Sequence, residues 1–226
     1  MSAPFKSLSK IISRRKPIVF FDFDNTITPF DILDEIIKQF AVGNKWGEIQ
    51  KKWEAGEMNT LDCLKTQMAS VRITKKELFQ YLSEIKIDPI FSELLIFLKK
   101  KKVPAVIVSD NFDLIIRRIL LNNGLSKTIK VYSNKLKLRG NRLITEFPYT
   151  NLNCPQCAHC KKTQLLKHGG KFIIYAGDGL SDICPSKHAD LVFAKARLLN
   201  YLRRNKKPCI KFRTMGDIYS HLSLLN

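Results

Sequence analysis

Short apolar runs alternate with helical patterns along most of the 226-residue chain. The apolar runs fall at residues 18–21, 105–108, 129–132, 172–176 and 190–193, with a weaker one at 209–212. Helical periodicity separates them at residues 92–101, 112–122, 162–168 and 195–204. Short runs without polar alternation are typical of strands buried on both faces of a parallel sheet. The pattern therefore predicts an α/β fold, a Rossmann-like parallel sheet with helices on both faces.

Residues 31–88 lie between the first two predicted strands and show only helical periodicity. They contain an aromatic and apolar set, Trp46, Trp53, Leu61, Leu64, Met68 and Val71. A crossover between two strands does not need so long a segment. We therefore predict a small all-helical cap at residues 31–88, above the end of the first strand, and a core domain of residues 1–30 and 89–226. A hairpin is predicted at residues 135–147, with Gly140 and Asn141 at its turn.

The chain is strongly basic, with 39 Lys and Arg against 20 Asp and Glu and a net charge of +19. Its basic residues form scattered clusters without a nucleic-acid-binding motif, so we expect no nucleic-acid partner. No apolar stretch approaches the roughly 20 residues that span a bilayer, so we expect no membrane partner. Residues 1–16 faintly resemble an organelle transit peptide, but we favour a basic lead-in to the first strand. We predict a cytoplasmic monomer or homodimer.

Polar side chains follow three of the predicted strands at the points where the strands end. Asp22 and Asp24 follow the first, Ser109 the second, and Asp178 and Asp182 the strand at 172–176. The carboxyl ends of parallel strands converge on one crevice, so we expect these five side chains to lie together. A polar turn explains one such strand end but not three. Clustered carboxylates repel one another unless a cation relieves them, and Mg²⁺ takes oxygen ligands. We predict Mg²⁺ at Asp22, Asp24, Asp178 and Asp182.

The same residues resemble the motifs of the haloacid-dehalogenase superfamily of phosphatases. "DFDNT" is similar to the D-x-D-x-T motif of that family, Ser109 to its second motif, and "GDGLSD" to its G-D-x-x-x-D motif. The motifs occur in the family's order and cover nearly the whole chain. A helical cap directly after the first motif resembles the phosphoserine-phosphatase-like subclass. The resemblance implies a Mg²⁺-dependent phosphomonoesterase that acts on a small phosphorylated metabolite.

The resemblance also implies catalytic roles that agree with the chemistry of carboxylates. Asp22 would attack phosphorus and form an aspartyl-phosphate, and Asp24 would serve as general acid and then general base. Mg²⁺ would bridge Asp22, the carbonyl of Asp24 and Asp178, offsetting charge on the phosphoryl group. Asp182 would orient water or the other ligands.

The resemblance further implies residues that hold the phosphate. Thr26 and Ser109 would contact the phosphoryl oxygens, with Asp110 and Asn111 beside them. The family also needs a lysine ahead of its last motif, and "CPQCAHCKKTQLL" offers two, Lys161 and Lys162. We favour Lys161.

A cysteine-rich loop precedes these lysines and raises the question of a second metal. Cys154, Cys157, His159 and Cys160 have the close spacing of a zinc site, and Cys184 lies further along. The usual second ligand pair is missing downstream, so we favour reduced thiols over zinc.

Within the family, the chain resembles two groups of phosphatases that differ in substrate. One acts on 2-hydroxy-3-keto-5-methylthiopentenyl-1-phosphate, and the other on phosphoethanolamine or phosphocholine. Asp31 would contact the substrate. Gln67 stands near the place of a carboxylate-binding arginine and cannot form the bidentate pair of an arginine, which counts against phosphoserine. A non-catalytic phosphate-binding regulator and a phosphotransferase are the remaining alternatives.

Overall fold

The computed structural model describes residues 15–125, 129–151 and 157–224. Its strands are β1 (Pro17–Phe21), β2 (Ala105–Phe112), β3 (Lys130–Arg139), β4 (Arg142–Glu146), β5 (Phe172–Gly177), β6 (Leu191–Ala194) and β7 (Ile210–Lys211). They form one seven-stranded sheet in the order β4-β3-β2-β1-β5-β6-β7. All neighbouring pairs are parallel except β3 and β4. The predicted α/β fold with a Rossmann-like sheet is confirmed.

The helices connect these strands. They are α1 (Ile32–Phe40), α2 (Lys45–Glu54), α3 (Thr60–Ser70), α4 (Lys75–Glu84), α5 (Ile90–Lys100), α6 (Asp113–Asn122), α7 (Lys161–Leu166), α8 (Ile183–Ser186), α9 (Ala196–Arg204) and α10 (Met215–Ser223). A short 3₁₀ turn, Leu180–Asp182, precedes α8. No helix in the described part of the chain has both the length and the apolar composition needed to cross a bilayer.

The central strand β1 is buried on both faces. Val19 and Phe21 belong to the larger core cluster, which also contains Phe91 of α5. Ile18 and Phe20 point to the opposite face and pack with Leu165 of α7. Successive side chains of a strand alternate between faces, so an uninterrupted apolar run requires helices on both sides. The sequence "IVFF" meets that requirement.

Two strands are longer than their sequence patterns predict. β2 continues through the polar residues Ser109 to Asn111, with an irregular register between Val108 and Phe112, where pairing with β3 resumes. β3 is one continuous strand that joins the run predicted at 129–132 to the first arm of the predicted hairpin. Pairing with neighbouring strands extends both strands across polar residues that interrupt the apolar pattern. The weak run at 209–212 shortens to the two residues of β7.

Helices α1 to α4 form the segment predicted to be helical between β1 and β2. Met68 and Val71 are fully buried, and Leu64 nearly so. Asp88 N donates to Ile27 O at 3.2 Å, so the chain enters and leaves this segment at adjacent points. The segment also contacts the β3–β4 hairpin, because Ile73 N donates to Asn141 O at 2.9 Å. The exact cap limits of residues 31 and 88 stay a prediction.

The positive φ of Gly140 in the hairpin turn can be tested by substitution. Gly140 has a φ of +61°, whereas Gly47 lies within helix α2, and a side chain at either position would meet open space. We expect Gly140→Ala to lower the free energy of unfolding by about 1 kcal/mol, because L-residues are strained at positive φ. The matched Gly47→Ala substitution should raise it by about 0.5–1 kcal/mol, because alanine favours helix. Urea denaturation measures both, and equal signs would contradict the turn geometry.

Candidate active site

A cavity of about 280 Å³ opens at the carboxyl ends of the central strands, beneath helices α1 to α3. Most of the predicted site residues line it, namely Asp22, Asp24, Asp31, Ser109, Asp110, Asn111, Lys161 and Asp178. They come from positions up to 156 residues apart in the sequence. Thr26 and Asp182 are buried behind the cavity wall and contact the residues that line it. The convergence expected at the end of a parallel sheet is present.

Lys161 lies at the centre of the buried charges. It is the first residue of α7, and only 2% of its side chain is exposed. Its Nζ lies 2.7 Å from Asp22 Oδ1, 2.7 Å from Asp182 Oδ1 and 3.0 Å from Ser181 Oγ. Burial alone would lower the pKa of Lys161, but Asp182 and Asp22 raise it well above its usual value. Lys162 is only half-buried. Of the two candidate lysines, Lys161 is the one that contacts Asp22.

Asp182 is held by four donors. Its Oδ1 accepts from Lys161 Nζ and from Tyr175 OH, the latter at 2.5 Å, and its Oδ2 accepts from the backbone N–H groups of Asp178 and Gly179. Burial opposes ionisation, but Lys161 and the other donors hold the pKa of Asp182 below its usual value. These contacts leave Asp182 suited to orient Lys161 and the turn at Asp178.

The turn after β1 holds Asp178. Asn25 Nδ2 donates to Asp178 Oδ2 at 2.8 Å, and Thr26 Oγ1 donates to Asp178 Oδ1 at 3.1 Å. Asn25 has a φ of +51°, a conformation that asparagine tolerates better than most residues. The side-chain hydrogen bonds of Asn25 and Thr26 therefore connect the turn after β1 to Asp178 at the end of β5.

Three carboxylates of this site could share a cation. One ligand atom each from Asp22, Asp178 and Asp182 lie within 4.8 Å of one another. Burial, followed by the charge of Asp182, raises the pKa of Asp22 well above its usual value and that of Asp178 to about 6. Lys161 supplies one positive charge against these three acids, so a divalent cation fits the remaining charge and the oxygen donors.

Asp24 is fixed at the opposite wall of the cavity. Asn111 Nδ2 lies 3.0 and 2.9 Å from its two oxygens, and Ile32 N donates to Oδ1 at 3.0 Å. Burial, followed by the charge of Asp31, raises the pKa of Asp24 well above its usual value. Asn111 therefore contacts Asp24, and its predicted contact with phosphate stays a prediction. Ser109 Oγ accepts from Asn111 N at 3.0 Å and faces the same cavity.

A family model described as "Putative Phosphatase" matches residues 17–204. The chain belongs to this phosphatase family. It is an enzyme of the phosphomonoester hydrolase class, and the predicted resemblance to haloacid-dehalogenase-superfamily phosphatases is confirmed.

Similar proteins cover nearly the full length of this phosphatase. A protein named 2-hydroxy-3-keto-5-methylthiopentenyl-1-phosphate phosphatase from Microcystis aeruginosa is 28% identical over 92% of this chain and 98% of its own. Pdp3-interacting factor 1 of Schizosaccharomyces pombe is 25% identical over 94% and 97% of the two chains. A solved structure titled "Phospho-Aspartyl Intermediate Analogue of Phosphoserine phosphatase" superimposes with a TM-score of 0.71 at 23% identity. It covers 92% of this chain and 99% of that one, and shows that the two share a fold.

Asp110 anchors the loop that precedes the phosphatase's Lys161. Its Oδ1 accepts from His159 N at 2.8 Å, and its backbone carbonyl accepts from Asn134 Nδ2 at 2.6 Å. Burial raises the pKa of Asp110. Contact between Asp110 and phosphate stays a prediction, and the observed contacts give it a role in positioning the loop.

The cysteine-rich loop lies partly outside the described residues. Cys154 falls in the gap at 152–156, so the predicted choice between zinc and thiols stays open there. Within the described ranges, the acidic group at Asp22, Asp178 and Asp182 is the only one with three or more ligands close enough to share an ion.

Several residues of the phosphatase site have no clear signal in the sequence. Asp34, Gln50, Trp53 and Glu54 line the outer cavity from the helical segment, beside the predicted Gln67, and Arg197 lines it from α9. Arg197 Nη2 donates to Glu54 Oε1 at 3.0 Å across 143 residues of sequence. Tyr175 is easier to predict from the sequence than these residues. Its hydroxyl interrupts the apolar run "FIIYAG", and a buried hydroxyl needs a hydrogen-bond partner.

Gly177 tests the position of Asp182. A Cβ at Gly177 would lie 2.5 Å from Asp182 Oδ2, whereas one at Gly179 would lie 3.8 Å from the same atom. We expect Gly177→Ala to lower kcat on an aryl phosphate at least 100-fold and to destabilise the fold by about 1–3 kcal/mol, because Asp182 must move. Gly179→Ala keeps its N–H donor and should change kcat less than threefold. Steady-state kinetics and thermal unfolding measure both, and equal kinetic losses would argue against this role of Asp182.

Proposed function

We propose that this phosphatase is Mg²⁺-dependent and hydrolyses a small phosphorylated metabolite through an aspartyl-phosphate on Asp22. The observation that carries the proposal is the position of the Asp22 carboxylate, which lines the cavity beside Lys161 and within reach of Asp178. Carboxylates serve as nucleophiles in phosphoryl transfer, and splitting hydrolysis into two steps lowers each barrier.

Asp22 is the nucleophile of the reaction, and Asp24 transfers a proton in each of its two steps. An oxygen of Asp22 attacks phosphorus, the bond from phosphorus to the alkoxide breaks, and Asp24 gives its proton to the departing alkoxide. Asp24 then takes a proton from the water that attacks the aspartyl-phosphate, which releases phosphate and frees Asp22. Asn111 and the first backbone N–H of α1 fix the Asp24 carboxylate for both proton transfers.

Lys161, Ser109 and Thr26 support the phosphoryl group in this proposal. The Lys161 ammonium, already 2.7 Å from Asp22, offsets negative charge as the phosphoryl group moves onto that carboxylate. Ser109 faces the cavity and can donate a hydrogen bond to a phosphoryl oxygen. Thr26 acts through Asp178, which accepts its hydroxyl hydrogen bond.

Asp22, Asp178 and the backbone carbonyl of Asp24 would hold Mg²⁺, with Asp182 orienting them from behind. When bound, the ion would supply positive charge for the phosphoryl oxygens. The raised pKa values of Asp22 and Asp178 support this assignment, because both groups must be ionised to work and no buried cation besides Lys161 contacts them among the described residues.

Metal removal and a nucleophile variant test the reaction. We expect hydrolysis of p-nitrophenyl phosphate to stop with excess EDTA and to return with Mg²⁺. Asp22→Asn should lower kcat at least 10⁴-fold with an unchanged fold, because an amide is a poor nucleophile. Beryllofluoride should form an adduct at Asp22 in the unsubstituted enzyme, located by mass spectrometry or NMR.

Lys161→Ala should lower kcat about 100-fold or more, because it removes the buried ammonium 2.7 Å from Asp22 Oδ1. Lys162→Ala is the control, because it removes the same charge one residue away. It should retain activity within about threefold. Full activity in EDTA, or an adduct on a serine or cysteine, would contradict the mechanism.

The first candidate substrate is 2-hydroxy-3-keto-5-methylthiopentenyl-1-phosphate. Relatives with that name, at 26–28% identity, match almost the whole chain. The outer cavity offers polar side chains, including Gln50 and Gln67, for a hydroxylated carbon chain. Leu33, Leu64 and Trp53 offer apolar surface beside them.

A specific observation favours a second candidate, the phosphate ester of a cationic alcohol such as phosphocholine or phosphoethanolamine. Asp31, Asp34 and Glu54 line the outer cavity with one opposing cation, Arg197. This wall has a net charge of about −2 when all four are ionised, which favours a cation and disfavours a carboxylate. Trp53 on the same wall offers an aromatic face suited to a quaternary ammonium. Phosphoserine, which carries a carboxylate, is disfavoured.

A substitution at Asp31 tests whether this residue serves substrate recognition or the chemical steps. Asp31 caps helix α1 by accepting from Asp34 N at 3.0 Å, and asparagine can keep that cap. We expect Asp31→Asn to lower kcat/KM for the preferred substrate about tenfold or more, the cost of one charge-assisted contact. Hydrolysis of p-nitrophenyl phosphate should change less than threefold.

Values of kcat/KM for the methylthiopentenyl ester, phosphocholine, phosphoethanolamine and phosphoserine should rank phosphoserine last. A larger loss on phosphocholine than on the methylthiopentenyl ester would select the cationic substrate. Equal losses on every ester would show that Asp31 serves the chemistry instead of recognition.

A further inference from the structure

A second cavity, of about 560 Å³, lies at the opposite end of the sheet. It opens beside the amino ends of β1 and β5, between the sheet and helices α5 and α10. Val19 and Ile174, which are partners in the β1–β5 register, line its inner wall together with Leu98 and Leu222. Its volume lies within the range of small-molecule sites, and its depth is apolar.

Four lysines line the same cavity: Lys16, Lys101, Lys102 and Lys171. No acidic residue lines it. None of the four forms an ion pair with any residue in the described ranges. A backbone contact places Lys16 beside Lys171, because Phe172 N donates to Lys16 O at 3.1 Å, and Lys101 and Lys102 are neighbours in sequence. Four cations beside an apolar wall are complementary in charge to an anion with an apolar body. We call this site the lysine cavity.

Lys102 occupies a backbone position that usually belongs to glycine. It follows α5 with a φ of +56°, while Val103 N donates to Leu98 O at 2.8 Å and Lys102 N to Lys99 O at 3.0 Å. This is a Schellman ending, in which the left-handed residue is most often glycine. Helix α6 ends in the same way with Gly124. The lysine at 102 is therefore held at some cost in backbone strain.

Helix α9 provides a matched case outside the cavity. Lys206 also has a positive φ, of +51°, and Lys207 N donates to Leu202 O at 2.9 Å. Lys206 does not line the lysine cavity. The backbone strain at Lys102 is therefore no evidence of function by itself. Comparison of variants at Lys102 and Lys206 separates the effect of backbone strain on stability from the effect of the side chain on binding.

We propose that the lysine cavity binds a small amphipathic anion. The apolar body of the ligand lies against the partly exposed apolar lining, Pro17, Phe97 and Val103, and its acid group lies among the four lysines. The catalytic cavity lies beyond the other end of β1 and has an acidic outer wall, so the two cavities are separate and differ in the charge of their lining.

Two dyes test the charge and the apolar body separately. The first is 8-anilinonaphthalene-1-sulfonate, which carries an acid group, and the second is N-phenyl-1-naphthylamine, its neutral analogue. Fluorescence titration of the full chain should give one saturable site for the sulfonate per molecule. Decanoate should displace the sulfonate at lower concentrations than decanol, because only decanoate carries an acid group. Orthovanadate, a phosphate analogue, should leave the dye bound.

Variants then locate the dye. The Lys101→Ala/Lys171→Ala variant should raise the Kd of the sulfonate about tenfold or more and leave that of the neutral dye within twofold. Lys102→Gly should raise the Tm by roughly 2–4 °C and still weaken sulfonate binding about threefold. Lys206→Gly should raise the Tm similarly with an unchanged Kd. A gain in stability with a loss of binding at 102, but not at 206, would support the proposal.

Three results would overturn it. Equal weakening of sulfonate binding by Lys206→Gly and Lys102→Gly would show that the effect comes from the overall charge of the protein. Displacement of the sulfonate by orthovanadate would place the dye in the catalytic cavity. Binding to vesicles of phosphatidylserine and phosphatidylcholine that requires Lys101 and Lys171, without competition by decanoate, would identify a membrane surface as the partner instead.

Discussion

The ion pairs of Lys161 with Asp22 and Asp182 are the interaction on which the catalytic cavity depends. They join the start of α7 to the end of β1 and to the turn after β5. All three side chains are buried, so removal of one partner would leave a desolvated charge, a loss typically worth about 3–5 kcal/mol. Tyr175 and two backbone N–H groups hold Asp182, and Asp110 holds the loop before Lys161. The precision of the site thus comes from contacts behind the residues that face the cavity.

The sequence predicted the parts of this site that follow from strand topology. Asp22, Asp24 and Asp178 meet because parallel strands place their carboxyl ends together, which needs no knowledge of side-chain geometry. The contact of Asn111 with Asp24 and that of Arg197 with Glu54 could not be predicted in this way, because each depends on side-chain directions across long separations. The extent of β2 and β3 was also missed, since pairing with neighbours, and not the local apolar pattern, determines where they end.

The two ends of the sheet differ in charge although the chain as a whole is strongly basic. Aspartates gather at the carboxyl ends of β1 and β5, and lysines gather at their amino ends. Because β1 is only five residues long, these regions are roughly 17 Å apart along the strand. The net charge of +19 therefore says little about the potential within the catalytic cavity, where carboxylates outnumber cations.

The hydrogen bond from Asp88 N to Ile27 O has a consequence for how such an enzyme can diversify. The polypeptide leaves the core after β1 and returns to it ahead of α5 at nearly one point, which is the geometry that tolerates exchange of an inserted unit. Helices α1 to α4 carry most of the outer cavity wall, whereas the carboxylates for phosphoryl chemistry lie directly after strands β1 and β5. Recombination or gradual drift within that unit could change the preferred ester while the reaction centre is inherited intact.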